Sequence, residues 1–197
     1  QVLQGDAERV VCMSSTHIAM LDAIGAVENV VGVSGKDFIT NPYIVANQHT
    51  IPDVGYDGNM NFELLVAQQP DIVLLFGVTG ACVMESKLDE LGIPYMYIGE
   101  YVEEDPLGKT EWLIAIAEIV GCRKHGITYF SEVPKRYEHL KSLAASAQTP
   151  TPKVMINTPY ADSWFMASAT SYVARLIADA GGDYIYKKNT SNHSLPI

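Results

Sequence analysis

Apolar and polar positions alternate along the chain in blocks of two kinds. Short runs such as Val10-Val11-Cys12-Met13 and Ile72-Val73-Leu74-Leu75-Phe76 are apolar at every position. That is the pattern of strands buried on both faces of a parallel sheet. Between them lie stretches with apolar residues at helical spacing, such as Phe62, Leu65 and Val66. Asn61 stands where it can cap that helix, and Pro70 stops it and pushes Gln69 towards an extended conformation. The same reading predicts strands near residues 9–13, 30–33, 72–76 and 95–98. Helices follow from Ile18 to Ile24, from Phe62 to Val66 and from Ala81 to Leu91. Strands alternating with helices in this way argue for a parallel α/β sheet with right-handed crossovers.

The long connection from Ser34 to Gly58 reads as an irregular loop carrying Phe38, Tyr43 and Tyr56. After Glu103-Glu104-Asp105-Pro106, a helix start, comes a helical stretch to Val120. A second one runs from about Ile127 to Ala147, with Pro134 predicting a kink or a late start. Thr149-Pro150-Thr151-Pro152 breaks the pattern. Val154–Asn157 then reads as a strand, residues 158–165 as a loop with aromatics, and Ser171–Ala180 as a helix. No internal repeat stands out. The expected division is an α/β lobe over residues 1–105, a helical connector over 106–149, and the beginning of a second α/β lobe over 150–197. One strand and one helix do not bury a sheet face, so the second lobe reads as truncated, with self-association as a consequence.

Composition narrows the function. The chain of 197 residues is 48% hydrophobic and 18% charged, so it builds a core. A formal charge of -10 repels phosphate backbones and excludes nucleic acid as the expected partner. Cys12, Cys82 and Cys122 are widely spaced and read as structural thiols. No apolar run approaches a membrane span, and no signal segment is visible. The turn after the first strand is Ser14-Ser15-Thr16-His17 rather than a glycine-rich phosphate loop, which argues against a dinucleotide enzyme. It offers hydroxyls and free N–H groups at the strand's carboxyl end, which is where open parallel sheets bind ligands.

Several stretches in order resemble the periplasmic substrate-binding proteins of ABC importers for cobalamin, ferric siderophores and haem. They are Arg9–His17, Gly25–Ser34, Val54-Gly55-Tyr56, Asn61-Phe62-Glu63 running on to Val73, Leu91–Pro94, and Ser171-Tyr172 to Gly182. The resemblance implies two parallel-sheet lobes joined by one long helix that opens only slightly. It implies no catalysis, no resident cofactor and an exported location, with a targeting segment already removed and a lipid anchor on the mature amino end. It implies an ABC permease as partner, met by Glu63 on the first lobe and by a second glutamate beyond Ile197. The ligand should be lined by Ser14, Ser15, Thr16, His17, Lys36, Phe38, Tyr56, Phe76, Gly77 and Tyr101, with Tyr160 and Trp164 facing them from the second lobe. Lys36 is the main cation of the first-lobe turns, so a large, flat, nearly neutral ligand is expected. Cobalamin comes first, with haem or a hydroxamate siderophore behind it. A zinc- or manganese-binding protein of similar architecture is the nearest alternative, and a nucleotide-using enzyme a more distant one. Among the five histidines only His17 sits at a predicted strand end.

Overall fold

The computed structural model describes residues 3, 5–56, 58–76, 83–190 and 193–196. They divide into two units. The first comprises residues 1–101 and 111–130, the second 102–110 and 131–197.

Unit 1 is built on a four-stranded parallel sheet. Its strands are β1 (Val10–Cys12), β2 (Val30–Val33), β3 (Ile72–Phe76) and β4 (Tyr95–Ile98), in the order β2-β1-β3-β4. The period of two along each strand sorts its side chains between two cores. Val10, Cys12, Ile72 and Leu74 face one core, which holds Ile18, Leu21 and Ile24 from the α1 segment (helix Ser15–Ala23). The same core holds Leu113, Ile116 and Ala117 from α5 (Pro106–Ile119). Val11, Val73 and Leu75 face the other, with Leu65 from α3 (Phe62–Ala67) and Met84 and Leu88 from α4 (Val83–Leu91). A strand covered on both faces has no polar side to show, which is why these runs lack alternation.

The caps are where the side chains place them. Ser14 caps α1 and accepts from the Thr16 N–H, and Asn61 caps α3 and accepts from the Leu64 N–H. Gln69 departs from expectation. Its φ is 47°, left-handed rather than extended. It follows the last residues of α3 and donates its N–H to the Val66 carbonyl, so it closes the helix as a glycine usually does. The proline after it disfavours the right-handed conformation and is compatible with this one.

The connection from Ser34 to Gly58 is more ordered than an irregular loop. It holds a short 3-10 turn at Lys36–Phe38 and the helix α2 (Pro42–Ala46), capped by Asn41. Asp53 then bridges Val33 in parallel, so the chain returns along the outer side of β2. Gly55 has a φ of 85°, and a Cβ there would collide with the Asn59 carbonyl oxygen. Only glycine makes that turn.

Helix α6 (Arg123–Ser146) has 24 residues, about 36 Å at the α-helical rise. It begins four residues before the predicted start and runs through Pro134 without ending. Its first part belongs to unit 1 and the part from Ser131 onward to unit 2. Within unit 1 it packs closely on α5 at Gly126, where a Cβ would come within 2.5 Å of the Ala117 Cβ.

Unit 2 contains β5 (Lys153–Val154) paired in parallel with β7 (Asp183–Tyr184), and β6 (Ser163–Met166) paired antiparallel with β8 (His193–Pro196). Two expectations change here. The strand from Val154 ends at once, and Asn157 turns with a φ of 63°. The aromatic stretch read as a loop over 158–165 includes β6, with Trp164 and Phe165 inside the strand. Helix α7 (Tyr172–Asp179) is capped by Ser171 as predicted. Its Asp179 accepts the Tyr137 hydroxyl at 2.7 Å, within unit 2. Burial first, and then the neighbouring carboxylate, push that tyrosine hydroxyl above its ordinary range. Among the described residues no helix is long and apolar enough to cross a membrane.

Candidate functional site

All four strands of unit 1 run the same way, so their carboxyl ends share one edge of the sheet. The turns leaving that edge carry most of the residues expected to meet a ligand. Ser14, Ser15 and Thr16 follow β1, Lys36 and Phe38 follow β2, Phe76 ends β3 and Tyr101 follows β4. Tyr56 follows the segment that pairs with the end of β2. Gly77 lies outside the described residues. Four aromatics at this edge are exposed: Phe38 at 87%, Tyr56 at 63%, Phe76 at 41% and Tyr101 at 59%. Large side chains are exposed elsewhere in the chain too, and these four share one edge of the sheet.

Lys36 behaves differently from the expectation. Its ammonium donates to the carbonyls of Gln48 and Ile51, the latter at 2.9 Å. It closes the loop beneath it rather than offering its charge outward. Asp53 completes this clasp by accepting from the backbone N–H groups of Gly35, Lys36 and Gly55 at 3.3, 2.8 and 2.9 Å. Among the described residues of these turns Lys36 is the one cation, so the edge presents hydroxyls and aromatic faces with little positive charge.

His17 is not a surface ligand residue. It is fully buried in the first turn of α1, and neither ring nitrogen makes a hydrogen bond of normal geometry. Its Nε2 lies 4.0 Å from Oε2 of Glu100. Burial pushes the imidazole pKa down to about 4, against opposing pulls from the Glu100 charge and the Leu74 backbone. At neutral pH the ring is therefore uncharged.

Glu100 itself was missed in the sequence. It is 2% exposed and sits just beyond β4. Its Oε1 accepts the Thr16 hydroxyl at 2.6 Å, and that hydroxyl lies 2.8 Å from the Ser14 hydroxyl. The only local signal was an acid two residues past a strand, in Ile98-Gly99-Glu100. Unit 2 holds a counterpart that was also missed. Thr170 donates its hydroxyl to Glu104 at 3.2 Å and stands 3.0 Å from the Ser168 hydroxyl.

The remaining expected residues lie elsewhere. Glu63 is exposed in the first turn of α3, where the helix N-terminus favours a carboxylate. In unit 2, Tyr160 is 87% exposed, whereas Trp164 is half-buried and donates its indole N–H to the Ile156 carbonyl at 3.0 Å. That unit also has an open apolar groove of about 390 Å³, lined by Val154, Val173, Leu176, Ile177 and neighbours. It contains neither aromatic. Among the described residues no group of three or more His, Cys, Asp or Glu is placed to hold a metal ion.

Comparison with known proteins gives the family and the fold. The family model described as periplasmic binding protein matches residues 10–197. An uncharacterized lipoprotein of Methanocaldococcus jannaschii is 30% identical over 209 residues, covering 100% of this chain and 49% of the relative. The chain thus spans about half the length of the curated relatives it matches. Two solved structures from Vibrio cholerae share the fold. A periplasmic haem-binding protein superposes with a TM-score of 0.74 at 20% identity, covering 96% of this chain and 69% of that one. A periplasmic vitamin B12-binding protein superposes with a TM-score of 0.68 at 16% identity, covering 97% and 70%.

Proposed function

The chain belongs to the periplasmic binding protein family, and we propose that it captures a bulky, nearly neutral ligand outside the cytoplasm and passes it to an ABC importer. The family is one of solute-binding proteins, so no bond of the ligand is made or broken. Cobalamin is the preferred ligand, with haem or a ferric hydroxamate siderophore behind it. The observation that carries this reading is the edge of unit 1. Exposed Phe38, Tyr56, Phe76 and Tyr101 share the carboxyl edge of the sheet with the Ser14 and Thr16 hydroxyls, and the cation of those turns, Lys36, is tied to backbone carbonyls. Aromatic faces suit a large flat ring system, and an edge with so little positive charge suits a catecholate complex poorly. Ligand chemistry among proteins of this fold varies, with haem bound by one and vitamin B12 by another. The site's own residues therefore decide the preference.

Titrating the full encoded polypeptide with cobalamin, haem and a ferric hydroxamate tests the proposal. One of the three should quench tryptophan fluorescence with a saturable, stoichiometric curve. Silence for all three together with a strong response to Zn²⁺ or Mn²⁺ would replace this reading with the metal one.

Delivery requires a surface that the permease recognises, and the exposure of Glu63 in the first turn of α3 supports that role for it. An exposed carboxylate in a first helical turn can take a bidentate arginine from a partner. Replacing it by Glu63→Arg should leave ligand affinity unchanged and lower uptake at least tenfold. Unchanged uptake would remove Glu63 from the docking surface. That the Methanocaldococcus jannaschii relative is a lipoprotein supports a lipid anchor on the exported protein.

A further inference from the structure

Three side chains tie the end of β4 to the first turn of α1. The Glu100 carboxylate, 2% exposed, accepts the proton of the Thr16 hydroxyl at 2.6 Å. Thr16 Oγ1 stands 2.8 Å from Ser14 Oγ. A hydroxyl has one proton to give, and Thr16 gives its own to the carboxylate. Ser14 must then be the donor in the pair of hydroxyls. Its oxygen also accepts the Thr16 backbone N–H at 3.3 Å. What Ser14 keeps, half-buried at the sheet edge, is one lone pair and no proton. A second observation marks this as more than a helix cap. Buried His17 packs its Nε2 4.0 Å from the other Glu100 oxygen, and its two ring nitrogens make no hydrogen bond of normal geometry. A fully buried polar ring is thus held beside the carboxylate that fixes the Thr16 proton.

We propose that Glu100, acting through Thr16, sets the polarity of the Ser14 hydroxyl, so that this turn selects a ligand group that donates a hydrogen bond over one that only accepts. The inference rests on the reading of this edge as the ligand's seat, and it names the chemistry of one contact there. An amide N–H or a hydroxyl meets the Ser14 lone pair and is satisfied. An ionised carboxylate meets lone pair against lone pair at Ser14 Oγ and gains no donor from that hydroxyl, which leaves it only the backbone N–H groups of the turn. Glu100 is a positioning residue in this scheme, because it acts on the ligand only through two hydroxyls. Among bulky flat ligands, a ring rimmed with primary amides is preferred over the same ring carrying carboxylates.

The test compares cobalamin with a derivative in which peripheral amides are hydrolysed to carboxylates, the ring being otherwise the same. Each is titrated into the full encoded polypeptide and into its Thr16→Ser, Thr16→Val and Ser14→Ala variants. The parent should prefer the amide form by about tenfold or more, the worth of one charge-mismatched hydrogen bond. Thr16→Ser keeps the relay and should keep the ratio. Thr16→Val frees the Ser14 proton to turn towards a ligand, and Ser14→Ala removes the oxygen itself. Both should bring the ratio within about threefold. A merely structural role would weaken both ligands together and leave the ratio unchanged, and that result in both variants overturns the inference. A parent that binds both forms equally overturns it too, with the proposed function intact. A parent that binds neither form overturns the cobalamin reading, and the inference falls with it.

Discussion

Acidification will destabilise this protein through His17, by about 3 kcal/mol between neutral pH and pH 4 if the shift from 6.5 to about 4 acts in full. In the folded chain burial holds the ring's pKa down near 4, while the unfolded chain titrates at the ordinary 6.5. Between those values the unfolded state binds more protons, so stability falls as pH falls. The contribution is fully present above the unfolded value, and it levels off below the folded one. Other carboxylates add their own acid dependence, so the measurement is a difference. Denaturant midpoints of the parent and of His17→Leu are compared across this range. Leucine removes the titrating ring and gives up only the poorly aligned contact to the Leu74 backbone. The variant should lose most of the slope between pH 6.5 and 4 that the parent shows. Identical slopes in the two proteins would mean that His17 is hydrated or charged in the folded state.

The second large effect concerns the ligand. Phe38 and Tyr56 are 87% and 63% exposed, so cutting them to alanine removes little packing. Folding stability should change by no more than about 0.5 kcal/mol for each. If they receive a flat ligand, each truncation removes a contact worth roughly 1–3 kcal/mol. The Phe38→Ala/Tyr56→Ala double variant should then bind its ligand about 100-fold more weakly or worse, with an unchanged melting curve. Unchanged affinity in the double variant would mean that these aromatics serve some other contact.

Much of the fold was readable because its signals are local. The strands β1 to β4 announce themselves as unbroken apolar runs, and Ser14, Asn61 and Ser171 cap the helices that follow them. The family resemblance rests on those same stretches. What escaped depends on partners far along the chain. Strand β6 reads as a loop in the sequence because its stability lies in pairing with β8, about thirty residues on, and its exposed-buried pattern is weak. Lys36 reads as a ligand-facing cation in the sequence because its acceptors, Gln48 and Ile51, lie at the far end of the same connection. Gln69 was assigned the usual conformation before proline, whereas the need to close α3 decides its backbone. Glu100 is an ordinary acid in the sequence. Its role appears only when the end of β4 comes beside the β1 turn and sets it against Thr16 and His17. The exposed aromatics are legible as a group, since Phe76 ends a strand, Phe38 and Tyr101 follow strand ends, Tyr56 follows the segment bridged to β2, and parallel strands gather those ends together.

The central claim is that a bulky ligand rests on the carboxyl edge of the unit 1 sheet. Backbone hydrogen exchange of the full encoded polypeptide, with and without saturating cobalamin, tests it most directly. The account predicts slowed exchange at residues 14–17, 34–38 and 99–101, and no change at the opposite edge around Ala7–Arg9 and Asp71. Protection confined to that opposite edge, with the Ser14 turn exchanging at the same rate in both states, would contradict it.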